Sequence, residues 1–181
     1  TLRSYSLIAM AGMCAAANAQ SLLGSFTWAD NGHRYDVYGA PAGISYQDAE
    51  TFAAAQGGYL ATMTSTEENS AFTAALGSVV PSTAYLGAMQ PLDEQDPTAN
   101  WSWVTGEAWS YTNWNSGEPN DFFGVASEQY LEIYTDGLWN DIGDNSAGFN
   151  NGFVVESVPE PVSVATLAVV GAALLRRRMR V

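Results

Sequence analysis

Gly117-Glu118-Pro119-Asn120 leads, eight residues on, to Glu128 and then to Trp139-Asn140-Asp141. The stretch sets a carboxylate and an amide on either side of a proline, adds a second carboxylate, and ends on an amide beside a carboxylate. These are hard oxygen donors, the kind calcium takes, about six to eight at a time in flexible geometry. The rest of the chain either delivers this cluster to its compartment or builds the scaffold that holds it.

Working outward, both ends read as delivery segments. Residues 1–19 carry a lone Arg3, an apolar run from Leu7 to Ala17 and the small-x-small ending Ala17-Asn18-Ala19. That is the pattern of a secretory signal peptide cut before Gln20. Cys14, the only cysteine, would leave with it, and Met13 ahead of it argues against lipid attachment. At the other end, residues 158–181 run from Val158-Pro159-Glu160-Pro161 through apolar Val162 to Leu175 into Arg176-Arg177-Arg178-Met179-Arg180. The apolar part is shorter than the ~20 residues a stable transmembrane helix needs, and the arginines favour the cytoplasmic side. A short apolar helix with basic stops fits a sorting tail in transient membrane contact better than a permanent anchor. The Pro-Glu-Pro triplet, apolar segment and terminal arginines resemble the PEP-CTERM signal of Gram-negative bacteria. The resemblance implies recognition by an exosortase-type processing enzyme, removal of the tail, and secretion toward the cell surface or extracellular matrix.

Between the ends the charge is one-sided. Lysine is absent, and from Ser21 to Val158 Arg34 alone faces eighteen Asp and Glu residues. Nucleic acid is therefore excluded as a partner. With no cysteine left in a disulfide-permissive compartment, stability must come from packing, with any bound metal adding to it. No repeat or linker divides the middle, which reads as one domain over residues 26–157.

The order of elements is legible from periodicity. His33 to Tyr38 alternates as a strand. Ser45 caps a helix in which Tyr46, Ala49, Phe52 and Ala53 recur at helical spacing, and Gly57-Gly58 ends it. Ser65-Thr66-Glu67-Glu68 matches a capping box opening a second helix through Phe72 and Leu76. Thereafter Ala84 to Gly87, Trp101 to Val104, Gln129 to Tyr134 and Phe153 to Glu156 read as short strands. The long segments Gln90 to Asn100 and Ser110 to Val125 separate them; such loops are usually functional or disordered, and these carry the ligand candidates. The fold class is α+β, with helices first and a loop-bearing antiparallel sheet after.

In this order the chain resembles the C-type lectin-like domain. The resemblance rests on Gly57-Gly58-Tyr59-Leu60-Ala61, Glu68, Tyr85-Leu86-Gly87, Trp101 to Gly106, Tyr111-Thr112-Asn113-Trp114, Glu118-Pro119-Asn120, Trp139-Asn140-Asp141 and Phe153-Val154-Val155-Glu156. It spans about His33 to Glu156. It implies one calcium ion held by Glu118, Asn120, Glu128, Asn140 and Asp141, with the main-chain carbonyl of Asp141 added, and a sugar diol completing the shell. The same five side chains would then form the carbohydrate-binding face. Glu-Pro-Asn implies a mannose- or glucose-like ligand, and the sorting tail makes extracellular polysaccharide a natural one. Pro119 is expected in cis, an isomer found in tight turns, turning its two flanking side chains toward one point. A second metal site, as in some relatives, would draw on Asp93, Glu94, Asp96 and Asp121.

The departures are as informative. Where the family carries two disulfides, this sequence has Phe52, Tyr130, Asp144 and Val155. Phe52 and Val155 can replace a bridge by apolar packing, whereas Tyr130 and Asp144 have no such reading. The Asn120-to-Glu128 segment is about two residues longer than expected, which leaves Glu132 and Asp121 open as the third carboxylate. Strand alternation points Glu128 and Glu132 the same way but more than ~12 Å apart, so one ion cannot take both, and Glu128, nearer the loop, is favoured. The tryptophans read as packing, while Phe122 and Phe123 adjoin the ligand cluster. The chain does not read as an enzyme: a calcium-bound carboxylate is unavailable for proton transfer, and His33, the only histidine, lies far from the cluster. The competing class is a structural or protein-binding matrix component on the same fold.

Overall fold

The computed structural model describes residues 20–144 and 150–159; the expected signal peptide and the apolar and arginine parts of the sorting tail lie outside these residues. Two helices start where serine stops the preceding chain. Ser45 Oγ accepts from the Asp48 amide at 3.1 Å and opens α1, Tyr46–Ala55. The end of α1 is a glycine cap: Gly57 takes φ +77°, its amide bonds to Ala54 and that of Gly58 to Ala53, the paired pattern that satisfies orphan carbonyls. Ser65 opens α2, Thr66–Leu76, in the same way, through the Glu68 amide at 3.1 Å. The reciprocal half of the expected capping box is displaced by one residue. The Glu68 carboxylate accepts from the amide and hydroxyl of Thr64, and the Tyr35 hydroxyl donates to it at 2.5 Å.

One eight-stranded sheet carries the rest. Its strands are β1 Ser21–Thr27, β2 Arg34–Gly39, β3 Tyr59–Leu60, β4 Thr83–Met89, β5 Ser102–Trp103, β6 Tyr130–Tyr134, β7 Trp139–Ile142 and β8 Gly152–Ser157. The order is β1-β2-β8-β4-β6-β7, with β3 on β8 and β5 on β4. The pairing is antiparallel except between β4 and β8, where Tyr85 lies beside Phe153 in parallel. This central joint fastens the two hairpins, β1-β2 and β6-β7, into one sheet. β1 was not anticipated, and it extends the sheet ahead of the expected boundary at residue 26. Its side chains lie largely in solvent, so its sequence carries little burial pattern.

Two apolar clusters cover the sheet. One packs Tyr46, Ala49 and Ala53 of α1 against Tyr85, Phe153 and Val155. The other packs Phe72 and Leu76 of α2 with Leu86, Leu131, Ile133 and the tryptophans. Trp139 is fully buried and donates its indole N–H to Asn69 at 2.9 Å. Trp103, Trp109, Trp114 and Tyr111 lie around it with ring centres within 6.0 Å, as packing rather than as a sugar platform. Between the clusters lies a polar knot: Glu156 faces His33 at 2.5 Å and accepts from the Thr62 amide at 2.9 Å, and burial pushes its carboxyl up.

The positions without disulfides are filled by specific contacts. Phe52 meets Tyr38 and Phe153 edge-on, at 4.9 and 5.2 Å between centres. Tyr130 stacks on Tyr46 at 4.2 Å, and Asp144 accepts from the Tyr46 amide at 3.0 Å. Tyr130 and Asp144 therefore both grip the first residue of α1. The Asp144 carboxylate also satisfies an orphan donor at the positive end of that helix.

Candidate functional site

The β6-β7 hairpin positions the first half of the site. Its turn is Thr135-Asp136-Gly137, closed by the Tyr134 amide on Leu138, with Gly137 at φ +86°, and the register sets Glu132 opposite Asn140 and Leu131 opposite Asp141. Along β7 successive side chains alternate faces. Trp139 and Asp141 are fully buried on one side, while Asn140 is half-buried on the other. Asn140 thus reaches a surface cleft, and Asp141 points under the long loop.

The second half comes from that loop. It is moored alongside β7: the Trp139 amide donates to Asn113 at 2.9 Å, and the Asn115 amide donates to Trp139 at 2.8 Å. The Glu118-Pro119 bond is cis, as expected. Immediately after it the Asp141 carboxylate accepts from the amides of Asn120, at 2.9 and 3.0 Å, and Asp121, at 2.8 Å. Asp121 in turn accepts from the amides of Ala126, Ser127 and Glu128 at 3.0 to 3.1 Å. The two aspartates act in series, so that the lengthened segment folds back and delivers Glu128. Glu128 accepts from the Phe122 amide at 2.6 Å.

The result is a cleft of about 350 Å³ walled by Glu118, Asn120, Glu128, Glu132 and Asn140, with Phe122 and Phe123 on its rim. The two phenylalanines are among the most exposed large apolar residues, at 76% and 68%. A larger hollow, about 470 Å³, opens beside the start of α1, but Asp48 is its only ionisable side chain.

Glu128 and Glu132 both line the cleft. Glu128 sits ahead of β6, and Glu132 within it. Glu132 is the residue that sequence reasoning set aside. Its signal lay in the Thr135-Asp136-Gly137 turn, whose glycine fixes the hairpin register and so its place across from Asn140. Asn150, at the far side of Glu132, was also missed. The four candidates for a second metal site do not gather. Asp121 is occupied by its three amides, Glu94 accepts from the amides of Gln95 and Asp96, and Asp96 accepts from Thr98. Asp93 is exposed on the same loop as Glu94 and Asp96.

Electrostatically the cleft gathers carboxyl groups with no basic side chain among its lining residues. Burial pushes the carboxyls of Glu118 and Asp141 up, and Asp141 adds to the effect on Glu118. Glu128 and Glu132 are each raised to about 7, burial being the largest cause. Among the described residues the basic side chains are elsewhere: Arg34 pairs with Asp36 and His33 with Glu156. One oxygen, Glu118 Oε2, is buried without a hydrogen-bond partner. As placed, no three acidic, histidine or cysteine side chains of the described residues meet around one point, since Asp141 and Glu128 are turned to loop amides. The donor chemistry nevertheless fits calcium: carboxylates and amide oxygens on one wall, an orphan buried oxygen, and no basic side chain in the lining.

A family model described as the lectin C-type domain matches residues 42–149. Collectin-43 of Bos taurus is 37% identical over 99 residues, which make up 54% of this chain and 29% of that protein. The chain therefore spans under a third of the length of this relative. Among solved structures, the carbohydrate-recognition domain of the mouse scavenger receptor C-type lectin superposes with a TM-score of 0.54 at 22% identity, over 70% of this chain and 92% of that one. The cow CD23 domain, crystallised in the presence of a GlcNAc2Man3 oligosaccharide, gives 0.55 at 21% over 70% and 90%. A calcium-independent type II antifreeze protein gives 0.51 at 20% over 68% and 86%. At these identities the structural likeness is one of fold.

Proposed function

Given that the chain belongs to the C-type lectin domain family, a fold of carbohydrate recognition and generally of non-enzymatic binding, we propose that it is a calcium-dependent carbohydrate-binding protein. Its ligand is a mannose- or glucose-like sugar, in free glycans or extracellular polysaccharide. The observation that carries this reading is the convergence of Glu118, Asn120, Glu128 and Asn140 on one cleft that holds no basic side chain. A calcium ion bound there would supply open positions for two neighbouring sugar hydroxyls. The protein's own groups do the rest. Glu118 and Glu128 accept hydroxyl protons, and the amide N–H groups of Asn120 and Asn140 donate to hydroxyl oxygens. Asp141, from behind, fixes the loop that presents Asn120. Phe122 and Phe123 offer apolar faces to a ring seated in the cleft.

The two terminal segments extend the proposal to the cell. A signal peptide over residues 1–19 and a tail over 158–181 processed by an exosortase-type enzyme would place the domain outside the cell or on the surface of a Gram-negative bacterium. Among the described residues no helix is long and apolar enough to cross a membrane.

The experiment is a titration of the domain with calcium, then with mannose, galactose and a bacterial polysaccharide, repeated on Asn140→Ala and Asp141→Ala. Sugar binding that requires calcium and is lost in both variants supports the proposal; a wild-type domain that takes up no calcium overturns it. The second reading, a matrix component that binds protein without sugar, draws on one observation: the Asp141 and Glu128 carboxylates have backbone amide partners. It predicts a domain equally stable with and without chelator.

A further inference from the structure

We propose that Glu132 is the positioning residue that orients the Asn140 amide, fixing which end of that side chain serves a bound cation. The inference rests on the reading of the cleft as a calcium site. It starts from an ambiguity of chemistry: an asparagine amide has one end that can ligate a cation and one that would repel it. Asn140 is only half-buried and stands at the cleft wall, so burial alone does not decide between the two orientations.

Glu132 decides it. The residue is 4% exposed and lies directly across the β6-β7 ladder from Asn140. Its Oε1 accepts from Asn140 Nδ2 at 3.0 Å, and its Oε2 accepts from Asn150 Nδ2 at 3.1 Å. Asn150 is fully buried, and its own oxygen accepts from the Gly152 amide at 3.2 Å. The orientation of Asn150 is thus set at both ends, leaving its Nδ2 to hold Glu132. The ionised Glu132 carboxylate only accepts, so the Asn140 end that meets it is Nδ2. The planar amide then presents Oδ1 at its other end. Of the two Nδ2 hydrogens, one is held by Glu132 and the other remains for a sugar hydroxyl. The chain Gly152–Asn150–Glu132–Asn140 runs from a central strand to the cleft, and each link removes one rotational choice. Partners of this kind behind a metal ligand typically alter affinity by about 10–100-fold.

The test uses Glu132→Ala, which removes both acceptors, and Glu132→Gln, which keeps one oxygen for Asn140. Calcium affinity is measured by titration calorimetry, and the Asn140 side-chain amide is followed by 15N NMR in chelator. In the wild type, one Asn140 amide proton is expected to be slowed in exchange without calcium, and that protection to vanish in Glu132→Ala. Calcium affinity should fall by roughly 10–100-fold in Glu132→Ala and by less than about tenfold in Glu132→Gln. Unchanged affinity in Glu132→Ala, or a Glu132→Gln loss as large as that of Glu132→Ala, overturns the inference while leaving the calcium site standing. If Glu132→Ala does not fold, the wild-type amide signal and Glu132→Gln decide; an unprotected Asn140 amide overturns it. A wild type that binds no calcium removes both readings at once.

Discussion

Replacing Asp141 by asparagine should destabilise the domain even when no calcium is present. The carboxylate is fully buried and holds two loop amides, those of Asn120 and Asp121, at 2.8 to 3.0 Å. Hydrogen bonds to a charged acceptor contribute about 1.5–3 kcal/mol each. Asparagine keeps one accepting oxygen but turns an NH2 toward the other donor, so one bond is lost and one weakened, about 2–4 kcal/mol. Against this, burial pushes the Asp141 carboxyl up, a cost the neutral side chain escapes, which brings the net loss to about 1–3 kcal/mol. For a domain of this size each kcal/mol moves the melting temperature by roughly 3–5 °C, giving a fall of roughly 3–15 °C. The assay is thermal unfolding by circular dichroism at neutral pH in excess chelator, with Asn140→Ala as the comparison, since that side chain supports no loop amide. Asp141→Asn melting within about 2 °C of wild type would refute the claim that this carboxylate holds the loop.

Three further outcomes follow from the same geometry. In chelator the domain should lose stability as pH rises from about 5 to 8: Glu128 is raised to about 7, so between its ordinary value and 7 the folded state holds a proton the unfolded chain has released. Calcium should reverse that trend, and melting curves with the same pH dependence in calcium and in chelator would count against it. Phe122→Ser and Phe123→Ser should lower sugar affinity by roughly 3–10-fold with calcium affinity and melting temperature unchanged, because both rings are exposed on the cleft rim; sugar titrations equal to wild type would show that the rings do not touch ligand. Asp144→Ala should cost about 1 kcal/mol through loss of the cap on the Tyr46 amide, and a denaturant midpoint identical to wild type would exclude that role.

Much of the fold was legible because the local rules and the tertiary arrangement agree. Ser45, Ser65 and Gly57-Gly58 bound their helices as such residues do wherever they occur, and the aromatic runs at Tyr85 and Phe153 became the central strands. β1 escaped because a largely solvated strand leaves no burial pattern to read. Within the site, Glu118, Asn120 and Asn140 could be named from residue type and order alone. The carboxylate partners were harder, since their roles depend on which backbone amides come near them.

The sequence by itself determined the inventory: a chain with eighteen acids against one arginine between its ends, oxygen donors around Pro119, and two serine-capped helices preceding a strand-rich half. Those properties are carried by residue type and by spacing along one element, so they survive without coordinates. The tertiary structure decided which acid does what. Alternation on β7 sends Asn140 to the cleft and Asp141 beneath the loop, and Asp121 is consumed in closing the long segment. The register of the β6-β7 hairpin, in turn, brings Glu132 to Asn140. These assignments rest on contacts between residues distant in sequence, and pairing of that kind is fixed only when strands and loops have packed.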